Sequence, residues 1–141
     1  MPPRTVLLDT SFVLALENLE DRHHARAKQL DRELAAEGAV LLLHWGILLE
    51  IGDGYARSSR RDKGMELLDK FVNEEGFQIL ALSQEMVDQA VTLFQSRPDK
   101  EWGLTDCLSF VLMDREGISQ ALTADVHFRQ AGFEAMLLDR V

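Results

Sequence analysis

The amino-acid sequence predicts an α/β domain in which a mostly parallel sheet is covered by helices on both faces. Short apolar runs recur along the chain, and they are apolar nearly throughout rather than alternating, the pattern of strands buried on both faces. Longer stretches with helical spacing separate them, and strands that alternate with helices build parallel sheets. The chain has 141 residues, 46% of them hydrophobic, and no linker or internal repeat divides it. That is enough for one sizeable core, so residues 1–141 are read as one domain.

The elements follow in order. Thr5–Leu8 is a buried strand. Glu20 and Asp21 precede a helix with His23, Ala27, Leu30 and Leu34 on one face, which Gly38 stops. Ala39–Leu43 is the second strand, followed by a helix over Ile47–Arg57 that Gly52 and Gly54 weaken. Another helix covers Lys63–Asn73, and Phe77–Leu82 is the third strand. Ser83 caps a helix whose buried stripe is Val87, Ala90, Val91 and Phe94. Arg97–Gly103, with Pro98, is a loop; Thr105 caps the next helix, which runs to about Glu116 and ends at Gly117. Gln120–Ala124 is the fourth strand, a short helix lies near Val126, and Ala135–Leu138 is the last strand.

Charge and cysteine content narrow the function classes. The formal net charge of -9 excludes long-range attraction to nucleic acid, so a polyanion must be met by a local basic patch or a bound cation. One cysteine, Cys107, forms no internal disulfide. Asp9 interrupts the first apolar run, which rules out a signal-peptide pattern, and the longest uncharged run, Gly38–Leu49, is too short to span a bilayer. The expectation is a soluble, cytoplasmic protein without membrane contact.

Sites in parallel sheets form at the carboxyl ends of the strands, near a topological switch point. Four carboxylates fall there. Asp9 follows the first strand, Asp125 follows the fourth, Asp106 opens a helix and Glu50 lies inside one. Taken singly, each Asp is accounted for as a helix cap. Glu50 is not, because Ile47, Ile51 and Gly54 share its face; an ion pair with Arg57, or a place at the edge of the core that reaches water, is its ordinary explanation. Together they would repel by about 4 kcal/mol per pair at about 4 Å in an effective dielectric near 20, so the group needs protons or cations. Oxygen ligands suit Mg2+ or Mn2+, which activate water and stabilise charge developing on a phosphodiester.

The stretches VLLDTSFVLAL, LLEIGDGYAR, LTDCLSFVLM and LTADVHFRQAGF resemble the PIN-domain ribonucleases, most closely the VapC-type toxins of bacterial toxin-antitoxin pairs, over nearly the whole chain. The resemblance implies a PIN-like three-layer α/β/α domain. It implies that Asp9, Glu50, Asp106 and Asp125 form the acidic metal site, with Thr10 or Ser11 as the hydroxyl after the first acid and Thr105 preceding the third. It implies an Mg2+ or Mn2+ dependent endoribonuclease whose products carry 5′-phosphate and 3′-hydroxyl ends. A homodimer and a neutralising antitoxin complete what it implies. The competing reading is a non-catalytic module whose acidic pocket binds a basic peptide or a structural cation.

Other residues support or compete. Arg57, Arg60, Arg61 and Lys63 form a positive patch for RNA phosphate, or else a solvated helix end. Ser109, one turn after Asp106, is placed to donate to the acids. His127 is left outside catalysis, and His23 and His24 point about 100° apart, a poor chelating pair. Cys107 is expected in the core, as is Trp45; Trp45 and Trp102 are the tryptophans available to stack on bases. Gly52-Asp53-Gly54 lacks the third glycine of a dinucleotide fingerprint, and no phosphate-binding GxxxxGK[ST] loop occurs. A receiver-type pocket would need a second acid or a suitably placed lysine close to Asp9, and positions 10 to 16 hold neither.

Overall fold

The structure, a computed structural model, describes residues 2–139. Five parallel strands form one sheet in the order β3-β2-β1-β4-β5. The elements are β1 (Thr5–Leu8), α1 (Thr10–Glu17), α2 (His24–Ala36), β2 (Val40–His44), α3 (Trp45–Gly54), α4 (Arg61–Asn73), β3 (Phe77–Leu80), α5 (Gln84–Ser96), α6 (Leu104–Glu116), β4 (Gln120–Leu122), α7 (Val126–Gln130) and β5 (Glu134–Ala135). The chain winds outward from β1 through β2 to β3, then returns past β1 to start β4. The strand order therefore reverses between β1 and β4, the place where sheets of this kind carry their sites.

The apolar runs became strands because both their faces are covered. Val6, Leu7 and Leu8 of β1 and Leu41, Leu42 and Leu43 of β2 are buried, as are Ala121 and Leu122 of β4. Edge strand β3 is only partly covered: Phe77, Ile79 and Leu80 are half-buried and Gln78 is exposed. Helix α6 is the most enclosed, with every residue from Cys107 to Met113 buried, and it packs against α5, α3 and α7. Cys107 is a free thiol in that core, as expected.

Register decides which side chains meet at the rim. Leu7 stands beside Leu42 on β2 and beside Ala121 on β4. Carrying that register two residues further aligns His44, Asp9 and Thr123, all on the face that α6 covers, because partners in register on neighbouring strands point the same way. The buried polar residues are Asp9, His44, Thr123 and Ser109 of α6.

Several expectations change. The buried stripe of α5 is Met86 and Ala90, with Val87 and Val91 half-buried and Phe94 exposed, because the helix packs mainly on α6 and offers a narrow seam. Trp45 is exposed and Trp102 buried, the reverse of the sequence reading for Trp45; helix α3 is apolar nearly all round, so its sequence does not mark which face turns inward. Strand ends also move: β3 stops at Leu80, β4 at Leu122, and β5 is Glu134–Ala135. Ser83 caps α5 by accepting the Met86 N–H at 3.1 Å, as expected.

Gly64 of α4 passes close to Tyr55: a Cβ there would lie 2.7 Å from the Tyr55 Cβ. Helix propensity alone would make Gly64→Ala stabilising by about 1 kcal/mol. Overpacking costs about 1–3 kcal/mol and wins here, so a lowered urea midpoint is expected for Gly64→Ala.

Candidate functional site

Asp9 ends β1 at the N-cap position of α1, but its carboxylate does not cap that helix. Instead Ser11 Oγ donates to Asp9 Oδ2 at 2.9 Å and Thr123 Oγ1 donates to the same oxygen at 2.8 Å. The two hydroxyls lie 3.1 Å apart, the Ala124 N–H donates to Ser11 Oγ at 3.0 Å, and the Asp125 N–H donates to Thr123 Oγ1 at 3.0 Å. One knot thus joins the carboxyl ends of β1 and β4 across the switch point. Burial pushes the Asp9 carboxyl up to about 6; the Thr123 and Ser11 hydroxyls pull it down, and the charges of Asp106 and Glu50 push it further up. Among the described residues none of the leading influences on it is a cationic side chain.

Asp125 and Asp106 are caps as well as site residues. Asp125 Oδ1 accepts the His127 N–H at 2.9 Å at the start of α7. Asp106 Oδ2 accepts the Gly103 N–H at 3.0 Å. Helix α6 therefore starts at Leu104 after Gly103, and Thr105 is not its cap; Thr105 is half-buried in the first turn, and the third-position carboxylate reaches back in its stead. Burial raises the Asp106 pKa, opposed by the Gly103 N–H; the Asp125 charge raises it, and His127 lowers it.

His127 enters this pair. Its Nδ1 lies 3.3 Å from Asp106 Oδ2 and 3.2 Å from Asp125 Oδ1. One ligand atom from each of Asp106, Asp125 and His127 lies within 4.8 Å of the others. The sequence reading left His127 aside, although its place two residues after Asp125 was the available signal: that spacing puts residue and acid on one helical turn.

Glu50 is exposed rather than on the apolar face of α3; Ile47 and Ile51 turn inward and Glu50 outward, where it accepts the Thr10 hydroxyl. Its charge acts on Asp9 across the start of α1. Ser109 does not donate to an acid. Its Oγ meets His44 Nε2 at 3.0 Å, while His44 Nδ1 accepts the Ile47 N–H at 3.3 Å. That pattern assigns the proton to Nε2, and burial pushes the His44 pKa down to about 4. The neutral imidazole ties the start of α3 to α6, so the helices that carry Glu50 and Asp106 are joined behind the pocket. Nothing in the sequence marked His44 apart from its place at a strand end.

The basic patch is partly engaged. Arg60 stacks on Tyr55 at 4.5 Å, Arg61 Nη1 donates to the Ala56 carbonyl at 3.1 Å, and Lys63 pairs with Glu17 at 3.3 Å and Glu66 at 3.4 Å. Arg57 is exposed. Tyr55, Ser59, Arg60 and Lys63 line a surface groove together with Leu14 and Glu17. Leu14 and Glu17 follow Thr10 by about one and two turns of α1, so the groove leads away from the acids. Of the tryptophans, buried Trp102 donates from Nε1 to Gln130 Oε1 at 3.0 Å and is unavailable for base stacking. His24 Nδ1 lies 2.8 Å from the Ala15 carbonyl, a packing role between α2 and α1.

Fold and site together define a three-layer α/β/α domain with an acidic pocket at the carboxyl rim of a parallel sheet. The chain belongs to the PIN-domain family, whose model matches residues 6–134, a span that contains all four acids and His127. Among solved structures it is similar to Mycobacterium tuberculosis VapC20, described as a sarcin-ricin loop cleaving toxin, with TM-score 0.80 and 24% identity over 91% of this chain and 95% of that one. VapBC2 from Rickettsia felis, bound to a DNA fragment from its promoter, is similar with TM-score 0.68 and 16% identity, covering 93% of this chain and 96% of the other. FitAcB from Neisseria gonorrhoeae gives TM-score 0.65 and 17% identity, covering 92% and 95%. At these identities the likeness is one of fold. No curated protein matches the chain. Among the described residues no helix is long and apolar enough to cross a membrane.

The Asp9 shift has a defined sign. Its folded pKa lies above the unfolded value of 3.8, so the ionised carboxylate destabilises the metal-free fold above about pH 6, and the penalty disappears as the group protonates toward 3.8. Asp9→Asn keeps an oxygen to accept from Ser11 and Thr123. In chelator at about pH 8 it is expected to be more stable than the native protein by on the order of 2–3 kcal/mol, a gain that shrinks between about pH 6 and 4. Urea unfolding across that range checks this; a gain independent of pH would refute the burial assignment.

Proposed function

We propose that this protein is a divalent-metal-dependent endoribonuclease that hydrolyses RNA phosphodiester bonds with water, and that it is the toxin of a toxin-antitoxin pair. The observation that supports the reading is the cluster of Asp106, Asp125 and His127 near the buried Asp9, whose carboxylate feels the charges of Asp106 and Glu50, in a chain of the PIN-domain family. The donor set fits a hard cation: carboxylate oxygens predominate, and among the described residues no cationic side chain is a leading influence on buried Asp9. Asp9, Glu50, Asp106 and Asp125 would hold Mg2+ or Mn2+. Such an ion supplies Lewis-acid activation of water and neutralises the charge that builds on the phosphate in the transition state.

The remaining steps belong to the chain. Ser11 and Thr123 fix Asp9 through Oδ2, which directs the other carboxylate oxygen away from the knot. Backbone N–H groups of Gly103 and His127 aim Asp106 and Asp125, and Thr10 holds Glu50. These contacts fix each carboxylate before substrate arrives, so little reorganisation is needed in the transition state. Water attacks phosphorus opposite the 3′ oxygen, the P–O3′ bond breaks, and the ends formed are 5′-phosphate and 3′-hydroxyl. Arg60, in the groove that leaves the acids, and the exposed Arg57 supply phosphate contacts that the overall charge of -9 does not. Thr105 and Ser109 serve the site indirectly, through the first turn of α6 and through His44.

The partners follow from the same reading. Relatives of like fold were solved as toxin-antitoxin complexes, and a basic antitoxin segment would complement the acidic pocket. The exposed pair Trp45 and Leu49 on α3 suits a homodimer contact.

Incubation of the purified protein with total RNA and Mn2+, with and without chelator, tests the activity. Chelator-sensitive cleavage is expected, with Asp9→Asn and Asp106→Asn each reducing it by at least about 100-fold while circular dichroism stays native. Metal binding without RNA turnover would support instead the non-catalytic module that binds a basic peptide or a structural cation.

A further inference from the structure

We infer that His127 is a nitrogen ligand of the metal centre and biases it toward Mn2+ over Mg2+. The inference rests on the proposed metal-dependent reading of the site and adds a donor outside the four acids. The imidazole Nδ1 lies 3.2 Å from Asp125 Oδ1 and 3.3 Å from Asp106 Oδ2. Two ligand atoms each about 2.1 Å from an octahedral ion, at right angles to one another, lie about 3 Å apart. Nδ1 is therefore spaced from each of the two oxygens as a neighbouring ligand around one ion would be, and all three pairs fall within 4.8 Å.

Without an ion Nδ1 hydrogen-bonds Asp106 Oδ2 at 3.3 Å, and the same spacing suits a shared cation. Asp125 Oδ1 already accepts the His127 N–H at 2.9 Å, and Asp106 Oδ2 already accepts the Gly103 N–H at 3.0 Å. Each of the two oxygens that face Nδ1 thus has one backbone donor and a lone pair left for a further partner, and the ring is directed at both of them. Helix α7 holds it there. Phe128, the next residue, is fully buried and meets Phe110 of α6 edge-on at 5.0 Å, which fixes the turn that presents His127 toward Asp106. With its proton on Nε2 the ring offers the Nδ1 lone pair to a cation.

The consequence is selectivity. Carboxylate and water oxygens hold Mg2+ and Mn2+ alike, whereas imidazole nitrogen suits transition-metal ions. One nitrogen among oxygens leaves Mg2+ binding nearly unaided and adds to Mn2+ binding. His127→Ala removes the ligand; His127→Asn places an amide oxygen near the Nδ1 position, so that the donor count is kept and the nitrogen is lost.

Calorimetric titration of the full chain with Mn2+ and with Mg2+, and electron spin-echo spectroscopy of the Mn2+ form, test this. Loss of a ligand-orienting partner alone weakens metal binding by about 10–100-fold, so His127→Ala is expected to raise the Mn2+ Kd by at least about tenfold. The Mg2+ Kd should change less than about threefold, and His127→Asn should bring the two metals closer together. The native protein should show 14N coupling to Mn2+, absent in both variants. Mn2+ binding without 14N coupling, or equal weakening of both metals, would overturn the inference and leave the acidic centre standing. Failure of the native protein to bind either metal would overturn the acidic centre itself.

Discussion

A carboxylate buried at the end of the central strand is the constraint on which the rest of this structure depends. Asp9 is 7% exposed, and an ionised group so placed is costly unless charge or hydrogen bonds compensate it. Two hydroxyls supply part of the compensation, Ser11 from the following helix and Thr123 from the neighbouring strand. Both donate to one oxygen, and the raised pKa shows that they do not offset burial. The remaining imbalance is electrostatic, and the neighbouring acids Asp106 and Glu50 add to it rather than relieve it. A pocket of this kind is stabilised by a cation, which is how the architecture of the rim bears on chemistry.

The knot around Asp9 also has a mechanical role. Parallel strands β1 and β4 meet at the switch point, where the crossovers leave in opposite directions. The hydroxyl pair and two backbone N–H groups tie the two strand ends together there. Behind it the neutral His44 ring joins α3 to α6. Each element that presents an acid is thus held by a polar contact that is itself buried or partly buried, and such contacts fix direction better than apolar packing does.

Capping and site formation are not alternatives here. Asp125 and Asp106 accept backbone N–H groups at helix starts and still face His127. A helix start offers donors that hold a carboxylate in one orientation, so the geometry that satisfies the helix also aims the acid. Asp9 differs from them: it has the backbone conformation of a cap and no capping bond, because its oxygens are drawn toward β4.

The amino-acid sequence by itself determined the alternation of strands and helices and the parallel sheet, because apolar continuity and helix punctuation are local signals. It marked Asp9, Asp106 and Asp125 at helix starts and the hydroxyl neighbours Thr10 and Ser11. It did not determine which face of α3 turns inward, since that helix is apolar nearly all round; Trp45 and Glu50 therefore ended up outside. Tertiary structure alone decided that Ser109 answers His44 rather than an acid, that Gly103 and not Thr105 opens α6, and that Thr123 and His127 join the rim. Each of these depends on strand register or on the orientation of one element against another. Those relations are set by contacts between residues far apart in the chain, for which no short window of sequence carries a signal.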